Sequence, residues 1–358
     1  MMTILQVMEQ LTGNGFLSAD QQAEMTATLD AYDNDVEKHA PWYIRALMGL
    51  SAWIAALLLL TFLMGALLDG GISALIVGLL FCGVAVPLRW RASRSASDST
   101  FTEQLALALS LAGQLLFLIG VADLTNSTQA TVLAAIMLEI ALIALYPDLL
   151  HRFLSTLVII GALTVLLWDL EILEVVHGLI ILLAAEMLWI WERQAQWVTG
   201  KVEMYSRPIG YGLAVGLLGL LSISLLAVGE VRFWWISAFG LLLVLLIQEY
   251  WILIYYGVEV PSAFPVALFC GSTLLLVPAF QTPGILGGLI VLLLGFRHGN
   301  RLLMGLAILF LIFFIIGFYY NLEISLLNKS FILMGTGLLI LMFRYVLLRG
   351  LSLEEVGS

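Results

Sequence analysis

Residues 44–68 read IRALMGLSAWIAALLLLTFLMGALL, and no ionisable side chain interrupts the run between Arg45 and Asp69. A helix that crosses a bilayer needs roughly 20 apolar residues, so this one segment is long enough to be a span. The rest of the chain repeats the pattern. Of 358 residues, 62% are hydrophobic and 11% charged, where a soluble domain sits near 45–50% and about 25%; mean hydropathy is +1.05. Apolar runs bounded by charges, Pro and Gly place further spans at 72–88, 101–121, 130–146, 152–168, 175–191, 208–228, 233–254, 262–279, 283–296, 302–320 and 331–348. The expectation is an all-α polytopic membrane protein of about twelve transmembrane helices over 41–350, with a short tail at 351–358.

Cationic segments resist translocation, so the flanks carry orientation. With the N-terminus inside, thirteen of the fifteen Lys and Arg residues fall on the cytoplasmic side, and only Arg232 and Lys329 fall outside. Both termini are therefore expected in the cytoplasm. Residues 1–40 read as a small acidic helical hairpin: Ile4, Met8 and Leu11 form one apolar stripe, and Met25, Leu29, Tyr32 and Val36 a second. Seven of the 25 acidic residues lie there, so the net charge of -10 describes no nucleic-acid or anionic-lipid binder. Cys82 and Cys270 both sit in apolar runs as small hydrophobes.

Gly15-Phe16-Leu17-Ser18 leading to Pro41-Trp42-Tyr43, then residues 146–155 (YPDLLHRFLS), resemble an uncharacterised bacterial family of multipass membrane proteins. Gly299-Asn300-Arg301, Tyr319-Tyr320-Asn321-Leu322 and residues 326–330 (LLNKS) with Gly335-Thr336-Gly337 are similar to the same family's C-terminal pattern. That resemblance implies the bacterial inner membrane, no assigned reaction, and a companion: a second multipass relative, or a small membrane-anchored protein with a Gly-Asp-Tyr motif.

Ionisable groups inside spans are the best functional pointers, because hydrocarbon penalises them. Glu139 falls mid-span, and Glu186 and Glu249 fall in the cytoplasmic halves of theirs; no Lys or Arg occupies the centre of any span. These three, with Gln114 and Gln248, are candidates for proton or cation handling, or for polar contacts between helices. An outer acidic loop carries Asp169, Glu171, Glu174 and His177, the last two at i, i+3. A lone Glu-x-x-His is too few ligands to assign a metal, and no cofactor is expected. Gly212 with Gly216, and Gly284 with Gly288, form GxxxG pairs that favour close helix packing and leave a homo-oligomer open. Pro265, Pro278, Gly83 and Pro87 interrupt spans, as transporter helices often are. Phosphate-loop, nucleophile-elbow, HExxH and Cys-x-x-Cys patterns are missing from the sequence. The leading expectation is a complex-forming subunit or scaffold in the lipid bilayer rather than an enzyme. The alternative is a secondary transporter or channel working through the intramembrane carboxyls.

Overall fold

The computed structural model describes residues 42–66, 70–94, 100–197, 202–226, 231–258, 262–280 and 282–321, with single helical positions between 327 and 341. The expected hairpin at 1–40, the tail at 351–358 and most of the last span lie outside the described residues. Among the described residues the architecture is all-helical, without strands. The helices are α1 (Trp42–Ala66), α2 (Gly71–Ser93), α3 (Thr100–Thr125), α4 (Thr128–Leu145), α5 (Leu149–Asp169) and α6 (Val176–Trp197). They continue as α7 (Glu203–Leu226), α8 (Trp235–Tyr255), α9 (Ala263–Leu274), the single turn α10 (Leu276–Ala279), α11 (Gly284–Arg297) and α12 (Arg301–Asn321).

Eight described helices are long and apolar enough to cross a membrane, and Gly49–Leu59, Phe264–Ala279 and Gly284–Arg297 are shorter apolar stretches. The chain is a multipass helical membrane protein. The segment read as one span at 262–279 is two pieces, because Pro278 has no N–H to offer the Leu274 carbonyl and α9 ends there. Its neighbour α11 has 14 residues, about 21 Å of helix against a hydrocarbon core of about 30 Å.

The chain divides into two compact units, residues 1–120 and 121–358. In the first, α2 presents a seam of small buried residues, Gly71, Ala74, Gly78, Cys82 and Ala85. It lies directly on the α3 backbone: a Cβ on Gly78 would stand 2.7 Å from the Gly113 carbonyl oxygen, and one on Gly113 2.8 Å from that of Gly78. Trp53 donates to Gln104 Oε1 at 3.2 Å, joining α1 to α3. Cys82 and Cys270 both remain thiols.

In the second unit α7 is central, packed by α5, α6, α11 and α12, while α4 lies on α5, and α8 on α6 and α11. Small residues let α7 be surrounded in this way. A Cβ on Gly212 would meet Thr156 Cβ at 2.6 Å, and one on Gly216 would meet the Ile160 side chain. Gly284 lies under the Phe314 ring and Gly288 under Leu311 of α12. The α11–α12 turn is tight: Gly299, at φ 62, closes α11 as its N–H reaches Phe296 O at 3.1 Å and that of Asn300 reaches Gly295 O at 2.7 Å. Asn300 Oδ1 then caps α12 by accepting from the N–H groups of Leu302 and Leu303.

Candidate functional site

The stretch 146–155 builds a buried polar junction among α4, α5 and α7. Asp148 starts α5 by accepting the His151 N–H at 2.8 Å. Tyr146 and His151 are fully buried and stack with ring centroids 4.2 Å apart. Arg152, 1% exposed, is the largest buried side chain of the described residues. Its role follows from two prolines. In a helix the Ile143 carbonyl would accept from residue 147 and the Met204 carbonyl from residue 208, but both are Pro and have no N–H. Arg152 fills both vacancies, Nε donating to Ile143 O at 3.0 Å and Nη1 to Met204 O at 2.9 Å. Its guanidinium lies 4.0 Å over the Tyr205 ring, which adds cation–π attraction.

Glu139, 2% exposed on α4, meets this junction from the side. Ser155 lies beside its carboxyl, and Ser155 Oγ is 3.2 Å from His151 Nδ1; among the described residues Glu139 Oε2 has no hydrogen-bond partner.

Glu249 and Gln248 form a second locus on α8. Glu249 accepts from Ser272 of α9 at 2.5 Å, and Gln248 Nε2 donates to Ile290 O of α11 at 3.2 Å. Both residues are buried, and among the described residues Glu249 Oε2 and Gln248 Oε1 have no hydrogen-bond partner. Gln114 belongs to the first unit, where it donates to Ser110 at 3.3 Å, one turn back on α3.

Glu186 is placed differently. It is exposed on the outer side of α6, in a groove of about 390 Å³ walled by Leu188, Trp189, Val244, Ile247 and Trp251. Neither Glu139 nor Glu249 lines that groove, so it does not gather the three carboxyls.

At the opposite end of α6, Glu174 and His177 form a clasp. His177 Nε2 donates to Arg232 O at 2.6 Å and its Nδ1 lies 2.8 Å from Ser237 Oγ. Glu174 accepts the Arg232 N–H at 2.9 Å and lies 3.2 Å from Nε2. Both ring nitrogens are thus engaged within the protein, and among the described residues no group of three or more His, Cys, Asp and Glu could hold a metal. Asp169 and Glu171 stay exposed at the end of α5, where Glu171 takes the left-handed position, φ 57, that ends the helix.

Sequence reasoning passed over Arg152 as a site residue and counted it only as a flanking charge. The signal was present in Pro147 and Pro208, each of which leaves a carbonyl four residues back without a donor. It also missed the α2–α3 seam, written as the seven-residue recurrences Gly71–Gly78–Ala85 and Ala106–Gly113–Gly120. The pair Arg297–Glu192, 2.7 Å apart and joining α11 to α6, was equally unforeseen.

No curated protein and no solved structure matches the chain. Residues 41–350 match the family described as a domain of unknown function, DUF4401. That match takes in every helix described above, so the chain belongs to this family of uncharacterised domains.

Proposed function

We propose that this chain is a complex-forming subunit of a bacterial inner membrane, with about twelve spans and both termini in the cytoplasm. In this reading its α6–α8 groove receives a transmembrane helix of a companion protein that presents a basic side chain. The position of Glu186 carries the reading. It is nine residues from the His177 clasp and six from Glu192, about 14 Å and 9 Å along the helix axis, too deep for a short carboxyl side chain to reach either surface. A charged side chain at that depth costs about 2.5 to 3.5 kcal/mol if left to lipid. The groove around it is apolar and of a size to take side chains of another helix. This chain has no Lys or Arg at the centre of any span, so neither its own helices nor a second copy supplies the cation, and a distinct partner does. The thirteen to two division of Lys and Arg supports the orientation. A transporter or channel built on Glu139, Glu186 and Glu249 would gather them around one polar cavity, which this arrangement does not favour.

The test is purification of the tagged full-length chain from native membranes in mild detergent, with a photo-reactive residue in place of Ile247. The expected product is a cross-link to a membrane-spanning peptide that carries Lys or Arg near its centre. Glu186→Leu should abolish this cross-link while leaving the yield of folded chain unchanged. Recovery of the chain alone in repeated preparations, or an equal cross-link in Glu186→Leu, would overturn the reading.

A further inference from the structure

Where α6 and α11 end and α7 and α12 begin, an open cleft of about 550 Å³ has Trp191, Arg207, Tyr211, His298, Asn300 and Arg301 in its lining. Its lining is rich in donors and contains no carboxylate. Asn300 Nδ2 donates to the Tyr211 hydroxyl oxygen at 2.6 Å, which leaves the phenolic proton to donate elsewhere. Asn300 Oδ1 is already committed to the N–H groups of Leu302 and Leu303. His298 Nδ1 donates to Leu294 O at 3.0 Å, so Nε2 is the ring atom left for another partner. Trp191 is 3% exposed, and among the described residues its indole N–H has no hydrogen-bond partner. Its ring stands edge-on to Tyr211 and to His298, with centroids 5.3 and 5.7 Å away.

Charge follows the same direction. Arg301 opens α12, where the helix dipole adds positive potential, and among the described residues no carboxylate pairs with it. Arg207 makes one exposed contact with Glu203 at 3.3 Å, a pairing worth little in water. The stronger nearby pair, Arg297 with Glu192, neutralises itself and does not line the cleft. The net charge of -10 averages over the whole chain and hides this local excess of cations.

We propose that this cleft binds a phosphate group, with the Arg207 and Arg301 guanidinium groups on its oxygens and Tyr211 and the neighbouring aromatic rings against the moiety that bears it. Two sources share this chemistry: the headgroup of an anionic phospholipid, or a soluble phosphate. The cleft is distinct from the α6–α8 groove, so the inference is independent of the subunit reading.

The full-length chain would be placed in nanodiscs of phosphatidylcholine alone or mixed with phosphatidylglycerol, as wild type and as the double variant Arg207→Gln/Arg301→Gln. Both arginines are exposed, so the variant is expected to fold, and Arg207→Lys/Arg301→Lys serves as the charge-preserving control. Lipid retained through delipidation is counted by native mass spectrometry, and inorganic phosphate is titrated against thermal unfolding in phosphatidylcholine. For a lipid site, wild type retains phosphatidylglycerol and the Gln variant binds it about tenfold or more weakly, the effect of losing roughly one charge-assisted hydrogen bond. For a soluble ligand, phosphatidylglycerol has no effect, but phosphate raises the unfolding temperature of wild type and not of the Gln variant. Equal behaviour of wild type and Gln variant towards both probes would overturn the proposal.

Discussion

Along α2 and α3 two helices meet through shape, whereas α5 meets its neighbours α4 and α7 at a junction that one side chain bridges. In the first region, glycine places backbone on backbone, with Gly78 and Gly113 each within Cβ reach of the other's carbonyl. In the second, two prolines open holes in helical hydrogen bonding, and Arg152 fills both from a third helix. Lipid tails are as apolar as leucine, so burial of apolar surface gives helices in a bilayer little reason to associate. Close packing and interhelical hydrogen bonds remain, and these two regions lean on one each. The difference has a consequence for tolerance. A shape-held contact fails when anything is added, whereas a polar junction fails when its one donor is removed and can be repaired by supplying another.

The seam should show the largest effect. Gly78→Leu adds a Cβ 2.7 Å from the Gly113 carbonyl oxygen, where the obstacle is backbone and cannot rotate away. Overpacking ordinarily costs about 1–3 kcal/mol, and a leucine here should exceed about 3 kcal/mol because the helices must part. Cys82 Sγ is 3.7 Å from the Ser110 carbonyl, so Ser110→Cys in a Cys270→Ser background reports the separation directly. A disulfide between Cys82 and the introduced thiol should form readily when Gly78 is intact and fail in Gly78→Leu. Efficient cross-linking in both would show that the seam gives way more easily than its geometry implies.

At the junction, Arg152→Met keeps much of the volume but strands the Ile143 and Met204 carbonyls, and a loss of about 2–3 kcal/mol is expected from buried acceptors without donors. Arg152→Lys should not rescue it, since an ammonium lacks the planar fork that reaches two acceptors. Pro208→Ala restores a backbone N–H four residues after Met204. In the Arg152→Met background it should therefore recover about 1 kcal/mol, read from thermal or SDS-induced unfolding of the detergent-solubilised chain. A Pro208→Ala change that is equally destabilising with and without Arg152 would refute the proline-vacancy account.

This contrast also explains what the sequence could reveal. Long uncharged runs such as 44–68 announce helices because hydrocarbon tolerates little else, and α1 to α8 and α12 fall where those runs lie. The segment at 262–279 reads as one span that Pro265 and Pro278 interrupt, and the structure turns the second interruption into a break, since its composition is as apolar as any span and Pro278 alone marks the place. Polar placement was less legible. Glu139, Glu186 and Glu249 look alike as carboxyls in leucine-rich helices, yet two are buried among the helices and one faces outward. Which face a residue takes depends on the neighbouring helix, and in spans that are apolar all round the 3.6-residue period that would disclose it is faint. The Glu174–His177 spacing has the same ambiguity: it reads as a ligand pair, and only Arg232 and Ser237, more than fifty residues on, reveal a clasp.

The smallest expected effect sharpens the comparison inside one helix. Gly212, Gly216 and Gly219 look equivalent in the sequence of α7, but a Cβ at each meets something different. At Gly212 it strikes Thr156 Cβ at 2.6 Å and approaches Phe153 O at 3.2 Å, atoms close to the α5 backbone. At Gly216 its nearest obstacle is Ile160 Cδ1, the movable end of a side chain, and at Gly219 nothing lies within 4 Å. Alanine removes the extra backbone freedom of glycine in a helix, a gain of about 0.5–1 kcal/mol where space allows. Gly219→Ala should therefore stabilise by up to that amount. Gly216→Ala should come out near zero as Ile160 changes rotamer, and Gly212→Ala should be destabilising by about 1–2 kcal/mol because α5 itself must move. Three single alanine variants, compared by unfolding midpoint in one detergent, test the order. If Gly219→Ala proved the most harmful, the exposed side of α7 would be a contact surface in the membrane.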